Sequence, residues 1–158
     1  MLGWGITMNG PLDKLAPLMH PLCISHGTLT CRSFADSRPL YEEFLGLECV
    51  QHEERAMLLT VGRQFALVCI QVGDAARGVN VLRHWGIDVE SRAEVDRMHA
   101  LAEREMDRFG IRKVHHVTDQ HGAYSFYFED RDGNWWEIEH VGTKTHHEVF
   151  ERGEVLPR

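Results

Sequence analysis

His26, His84 and Glu137 are the residues of this chain whose types best suit chemistry. Each falls in a short strand-like segment: 24–30, 83–89 and 134–139. Two neutral imidazoles and one carboxylate can hold a divalent metal on one side and leave the opposite coordination positions open. Such a set works only if the fold brings together three side chains that are far apart in sequence.

Segment 24–31 reads as a strand, and 34–46 as a helix with Asp36 or Ser37 as its cap, Pro39 in the first turn and Gly46 as its stop. Leu40, Tyr41, Phe44 and Leu45 form its apolar stripe. Strands are expected near 48–54, 56–61 and 65–72. After a polar link over 73–80, the order restarts. A strand carries His84, and a helix follows from Ser91 with Glu94 completing a capping box; Val95, Met98, Leu101, Ala102 and Met106 form its buried face and Gly110 its end. Strands over 112–118, 123–129 and 134–141 complete the second set, with Asp130 to Gly133 turning between the last two. This is an internal repeat of strand, helix and three strands. The expected fold class is α+β, with two tandem βαβββ modules forming a curved, cleft-enclosing mixed sheet. The boundaries are an N-terminal extension over 1–21, a domain over 22–142 with modules about 22–72 and 80–142, and a charged tail over 143–158. Period-two alternation puts His26 on one face with Thr28 and Thr30. It puts Glu137 on one face with Trp135 and Glu139, and Trp136 with Ile138 on the other.

Composition narrows the function. The 158 residues suffice for one domain with a real core or two small fused modules. A net charge of −7 argues against nucleic acid or an anionic membrane as partner. No apolar run approaches the ~20 residues of a membrane helix. Residues 1–21 lack the basic start and long apolar run of a secretion signal, so a cytoplasmic location is expected. Cys23, Cys31, Cys49 and Cys69 form no C-x-x-C pair and read as reduced thiols, three of them in apolar settings. Eleven histidines is many for this length; His20, His99, His146 and His147 read as surface residues.

From Leu22 to Gly142 the chain resembles the vicinal oxygen chelate superfamily of glyoxalase I, fosfomycin and bleomycin resistance proteins and type I extradiol dioxygenases. The resemblance lies in Leu40-Tyr41-Glu42-Glu43-Phe44-Leu45-Gly46-Leu47, similar to the family's helix end. It lies also in Asp130-Arg131-Asp132-Gly133-Asn134-Trp135-Trp136-Glu137-Ile138, similar to its closing hairpin, with Arg131 where proline is usual. It implies that His26, His84 and Glu137 bind metal and that a substrate with adjacent oxygens chelates it. Phe126-Tyr127-Phe128-Glu129-Asp130 with Gly133 and Glu137 resembles the extradiol signature. Two departures stand out. The histidine of that signature has no clean counterpart, since His116 is too far from Tyr127 and His121 too near. The strand from Gln64 to Ile70 also lacks the acid–base histidine usual in extradiol enzymes.

The resemblance implies an Fe(II)-dependent ring-cleaving dioxygenase acting on a catechol-like aromatic with molecular oxygen; Mn(II), Zn(II) and Ni(II) suit the same donors. Tyr127 would hydrogen-bond an oxygen at the metal, and His116 or His121 would move protons. Adjacent strand residues face opposite ways, so at most one of His115 and His116 points into the cleft, and His116 is favoured. Trp135 could wall a flat aromatic, while Glu139 reads as a solvated strand end. An alternative is a lyase or isomerase of the glyoxalase or epimerase kind, for which Gln71 is a weak candidate second ligand in the first repeat. Another is a non-enzymatic binding or resistance protein. A homodimer is expected, because curved sheets of this kind leave an edge that needs covering.

Overall fold

The computed structural model describes residues 18–19, 23–62, 65–120 and 122–142. The chain is α+β and builds two mixed sheets. The first contains β1 (His26–Cys31), β2 (Glu48–Glu53), β3 (Ala56–Thr60) and β4 (Ala66–Gln71), in the order β1-β4-β3-β2. The second contains β5 (His84–Asp88), β6 (Lys113–Val114), β7 (Thr118–Gln120), β8 (Ala123–Glu129) and β9 (Trp135–His140). Its order is β5-β9-β8-β6, with β7 also on β8. In each sheet the strand before the helix pairs in parallel with the last strand of the set, β1 with β4 and β5 with β9. The expected strand over 112–118 is instead the two short strands β6 and β7. Among the described residues no helix is long and apolar enough to cross a membrane.

The first helix begins earlier than its cap residues suggested. α1 spans Phe34–Pro39 with Ser33 at its N-cap, and Ser37 is buried inside it, donating its hydroxyl to Asp132. Pro39 has no N–H for the carbonyl four residues back, and the chain continues as a wider π turn over Leu40–Phe44. Gly46 ends it at a φ of +70°, a conformation glycine adopts without steric cost. α2 spans Arg92–Arg104, and the Ser91 hydroxyl accepts from the Glu94 amide at 3.2 Å. The Glu94 carboxylate does not return the capping bond; it pairs with Arg97. A short α3, Met106–Phe109, ends at Gly110 in the left-handed region.

The two modules share one core. Tyr41 meets Trp136 with ring centroids 5.7 Å apart, and Phe44 meets Phe128 at 5.7 Å and Phe109 at 5.3 Å. Phe126, Phe128, Trp136 and Ile138 therefore form the helix-facing side of the second sheet, and all are buried. Fully burying a phenylalanine contributes about 1.5–3 kcal/mol. The alternation leaves Trp135, Glu137 and Glu139 on the opposite side.

The β8–β9 turn clasps the modules together. Asp130 accepts from the amides of Asp132 and Asn134, both at 2.9 Å, from Asn134 Nδ2 at 3.0 Å and from Trp136 Nε1 at 3.1 Å. Asp132 accepts from the Arg32 amide at 2.9 Å, and Asn134 Nδ2 donates to the Thr30 carbonyl at 3.1 Å. Gly133 has φ +84°, and a Cβ there would lie 2.5 Å from Gly78 Cα. The missing side chain lets the linker pass, and the Val79 amide donates to the Gly133 carbonyl at 3.0 Å.

Candidate metal centre

Register places the functional face of the second sheet. β5 sets His84 beside Trp135 and Gly86 beside Glu137, while β8 sets Tyr127 opposite Glu137 and Ser125 opposite Glu139. The His115 amide donates to the Tyr127 carbonyl at 2.8 Å, which carries His115 onto this face.

His84 and Glu137 come together, with His84 Nε2 3.1 Å from Glu137 Oε2. The other imidazole nitrogen is committed, because His84 Nδ1 lies 2.7 Å from the Val81 carbonyl, which can only accept. Nε2 therefore presents a lone pair to a carboxylate oxygen unless a proton or a cation stands between them. Two donors ~2.1 Å from one ion and roughly at right angles lie about 3 Å apart. This spacing, with Nδ1 turned to the Val81 carbonyl, fits a shared divalent cation as well as a direct ion pair. Glu137 is buried, at 7% exposure, where an uncompensated carboxylate is costly.

His26 does not join them. It lies on the exposed edge strand β1, its Nδ1 2.8 Å from the Ser25 hydroxyl. Among the described residues no group of three or more His, Cys, Asp or Glu side chains is assembled that could hold a metal ion. The single chain brings together two of the three expected ligands.

Tyr127 lies against this pair, its ring 5.0 Å from that of His84. Burial, then hydrogen bonding to Glu137, pushes its hydroxyl up to about 12. Of the two adjacent histidines, His115 faces the site. Its ring lies 6.5 Å from that of Tyr127 and 5.0 Å from that of Trp135, whereas His116 is exposed. Burial, with the nearby charges of Lys113 and His116, holds the His115 imidazole below its usual range. His121 lies outside the described residues.

Other expectations change. Glu139 is buried at 7% exposure and is not a solvated strand end. A Cβ on Gly86 would lie 3.0 Å from its Oε1. The Gln71 side chain accepts from the Phe34 amide at 2.8 Å, so it holds the start of α1. His99 is half-buried, edge-on to Phe126 and 3.1 Å from the His115 carbonyl. Cys31, Cys49 and Cys69 are free and buried, and Cys23 is free and exposed.

The fold is one of paired βαβββ modules, with a histidine–glutamate pair on the face of the second sheet turned away from the helices. Residues 23–138 match the model of the Glyoxalase/Bleomycin resistance protein/Dioxygenase superfamily, and the chain belongs to that superfamily. No curated protein is similar enough in sequence to match. Among solved structures, the fosfomycin resistance protein FosX from Mesorhizobium loti is 20% identical with a TM-score of 0.60, over 83% of this chain and 99% of that one. The lactoylglutathione lyase from Agrobacterium tumefaciens is 22% identical, TM-score 0.55, over 76% and 94%. The oxidase ChaP-H2 is 17% identical, TM-score 0.58, over 77% and 94%. At these identities the likeness establishes the fold.

Proposed function

We propose that this protein is a metal-dependent oxidoreductase, an extradiol-type dioxygenase that opens a catechol-like ring with molecular oxygen. The observation that carries the proposal is the grouping of His84, Glu137, Tyr127 and His115 on one face. Fe(II) is the metal proposed, with Mn(II), Zn(II) and Ni(II) as alternatives. His84 and Glu137 supply two ligands and His26 is the proposed third. His26 would come from a second copy of the chain. Its strand face is open, and along the register Thr28, Val68, Leu58 and Val50 form a row in which Leu58 and Val50 are 36% and 50% exposed.

A metal bound here supplies Lewis acidity and, if iron, redox chemistry. The chain's own groups supply the rest. The Val81 carbonyl holds His84 in the tautomer that leaves Nε2 free to ligate. Tyr127 keeps its proton at neutral pH, because its hydroxyl is pushed to about 12, and so acts as a donor to the carboxylate or a substrate oxygen. His115, held below the usual imidazole range, is neutral at pH 7 and can accept a phenolic proton. It takes the role expected of His116. Trp135 and the edge of His115 provide a flat wall.

A second reading rests on Glu139. A second buried carboxylate on the face of Glu137 suits proton shuttling in a lyase or isomerase of the kind named among the structural neighbours. Oxygen uptake separates the two. Protein reconstituted anaerobically with Fe(II) should consume oxygen in step with loss of a small catechol. Absence of uptake, with turnover of a carbonyl substrate on the Ni(II) or Zn(II) form, would favour the second reading.

A further inference from the structure

A cleft of about 580 Å³ opens between β1 and the linker that joins the modules. That size is within the range of small-molecule sites. His84 forms part of its wall, so the cleft is contiguous with the His84–Glu137 pair. Its polar lining includes Thr28, Thr30, Arg77, Arg83, His84 and Asn134, and among the described residues no carboxylate lines it. In a chain of net charge −7, a lining with two arginines and no acid among the described residues is a local reversal of sign.

Several other arginines are matched to acids, as in Arg38–Glu42, Arg92–Asp119 and Arg112–Glu129, while Arg55 donates to the Gln71 carbonyl. Arg77 and Arg83 have no carboxylate partner among the described residues. Arg77 is nevertheless held in place: its Nη1 donates to the Asp74 carbonyl at 2.7 Å and the Ala76 carbonyl at 3.0 Å. Its Nε–Nη2 edge makes no hydrogen bond among the described residues. That edge is the fork that matches a carboxylate with two parallel hydrogen bonds, and anchoring the opposite nitrogen lowers the entropy lost on binding.

We infer that this cleft recognises a carboxylate on the substrate, read by Arg77 and Arg83. The substrate class is then an aromatic acid, not a neutral catechol. The vicinal oxygens of that substrate rest on the function proposed above, but the carboxylate rests on the cleft alone.

The test uses the full chain without added metal, titrated with benzoate and with benzyl alcohol and followed by tryptophan fluorescence, since Trp85 lines the cleft. Benzoate should bind at least about tenfold more tightly than the alcohol, and Arg77→Gln and Arg83→Gln should each weaken benzoate by about ten- to a hundredfold. Binding of the alcohol should change less than about twofold, in line with the loss of a charge-assisted bond it never makes. Arg77→Lys keeps the charge without the fork and should recover only part of the affinity. Circular dichroism of each variant controls for folding. Equal binding of acid and alcohol, undetectable benzoate binding, or benzoate affinity unchanged in both glutamine variants would overturn the inference. Oxygen uptake by the Fe(II) form with 3,4-dihydroxybenzoate is a separate arm. Its failure alongside intact benzoate selectivity would remove the dioxygenase reading and leave the carboxylate site standing.

Discussion

Replacing Asp130 by alanine tests how the closing turn holds Glu137 in position. The Asp130 carboxylate is 1% exposed and accepts from four separate donors: two amides, the Asn134 side chain and the Trp136 indole. Each buried donor left without a partner costs about 1–3 kcal/mol, less where water can enter. Burial of the charge offsets part of this, because desolvation pushes the Asp130 carboxyl up to about 6 despite the donors around it. A net loss of about 3 kcal/mol at pH 7 is expected, a large part of a typical 5–15 kcal/mol. With a urea slope of ~2 kcal/mol/M, the midpoint should fall by about 1.5 M. The pH dependence has a definite sign. The folded carboxyl binds its proton more tightly than the unfolded one, so this group favours folding below pH ~4, and that contribution fades as pH rises through about 6. The gap between wild type and Asp130→Ala should therefore widen as pH falls from 6 towards 4, by as much as ~3 kcal/mol. Urea titrations followed by circular dichroism at about pH 4.5 and about pH 7 would show it. A midpoint shift under about 0.5 M at pH 7, or a gap that narrows on acidification, would show that Asp130 does not hold the turn in this way.

Three further outcomes follow from the site. Tyr127→Phe should keep its metal, since the hydroxyl contacts Glu137 and is not itself needed as a ligand, but slow turnover; metal analysis with steady-state kinetics decides, and an unchanged rate would reduce Tyr127 to packing. His115→Ala should lower kcat by about 10²–10⁴-fold, while His116→Ala should stay within about twofold; the reverse order would restore His116 as the proton carrier. If His115 accepts the proton in its neutral form, the acid limb of the kcat/KM profile should lie below about 6.5, and a limb above that value would contradict the assignment.

What the chain discloses on its own follows from what is local. Ser91 before Glu94 fixes the start of α2, Gly46 and Gly110 stop helical segments, and the alternation of Trp135 to Ile138 separates the inner face from the core; each is set by neighbours a few residues away. What depends on distant partners is not legible. Ser37 looks like a cap in sequence, yet its hydroxyl serves Asp132, 95 residues away. The parity of His115 and His116 depends on pairing with Tyr127, and alternation alone cannot say which of two neighbours faces in. Glu139 ends a strand and so looks solvated, but the facing elements bury it. The separation of His26 from His84 and Glu137 arises from how two sheets are set against each other, which no spacing within the chain encodes. Arg77 and Arg83 gain meaning only because the linker carrying them folds over β1.

Metal content per chain, after equilibration with Fe(II) under nitrogen and removal of free ion, shows whether His84 and Glu137 hold a cation. Wild type should hold close to one ion per chain. Glu137→Ala and His84→Ala should hold almost none while keeping the wild-type circular dichroism spectrum. Full metal retention by Glu137→Ala would rule out Glu137 as a ligand.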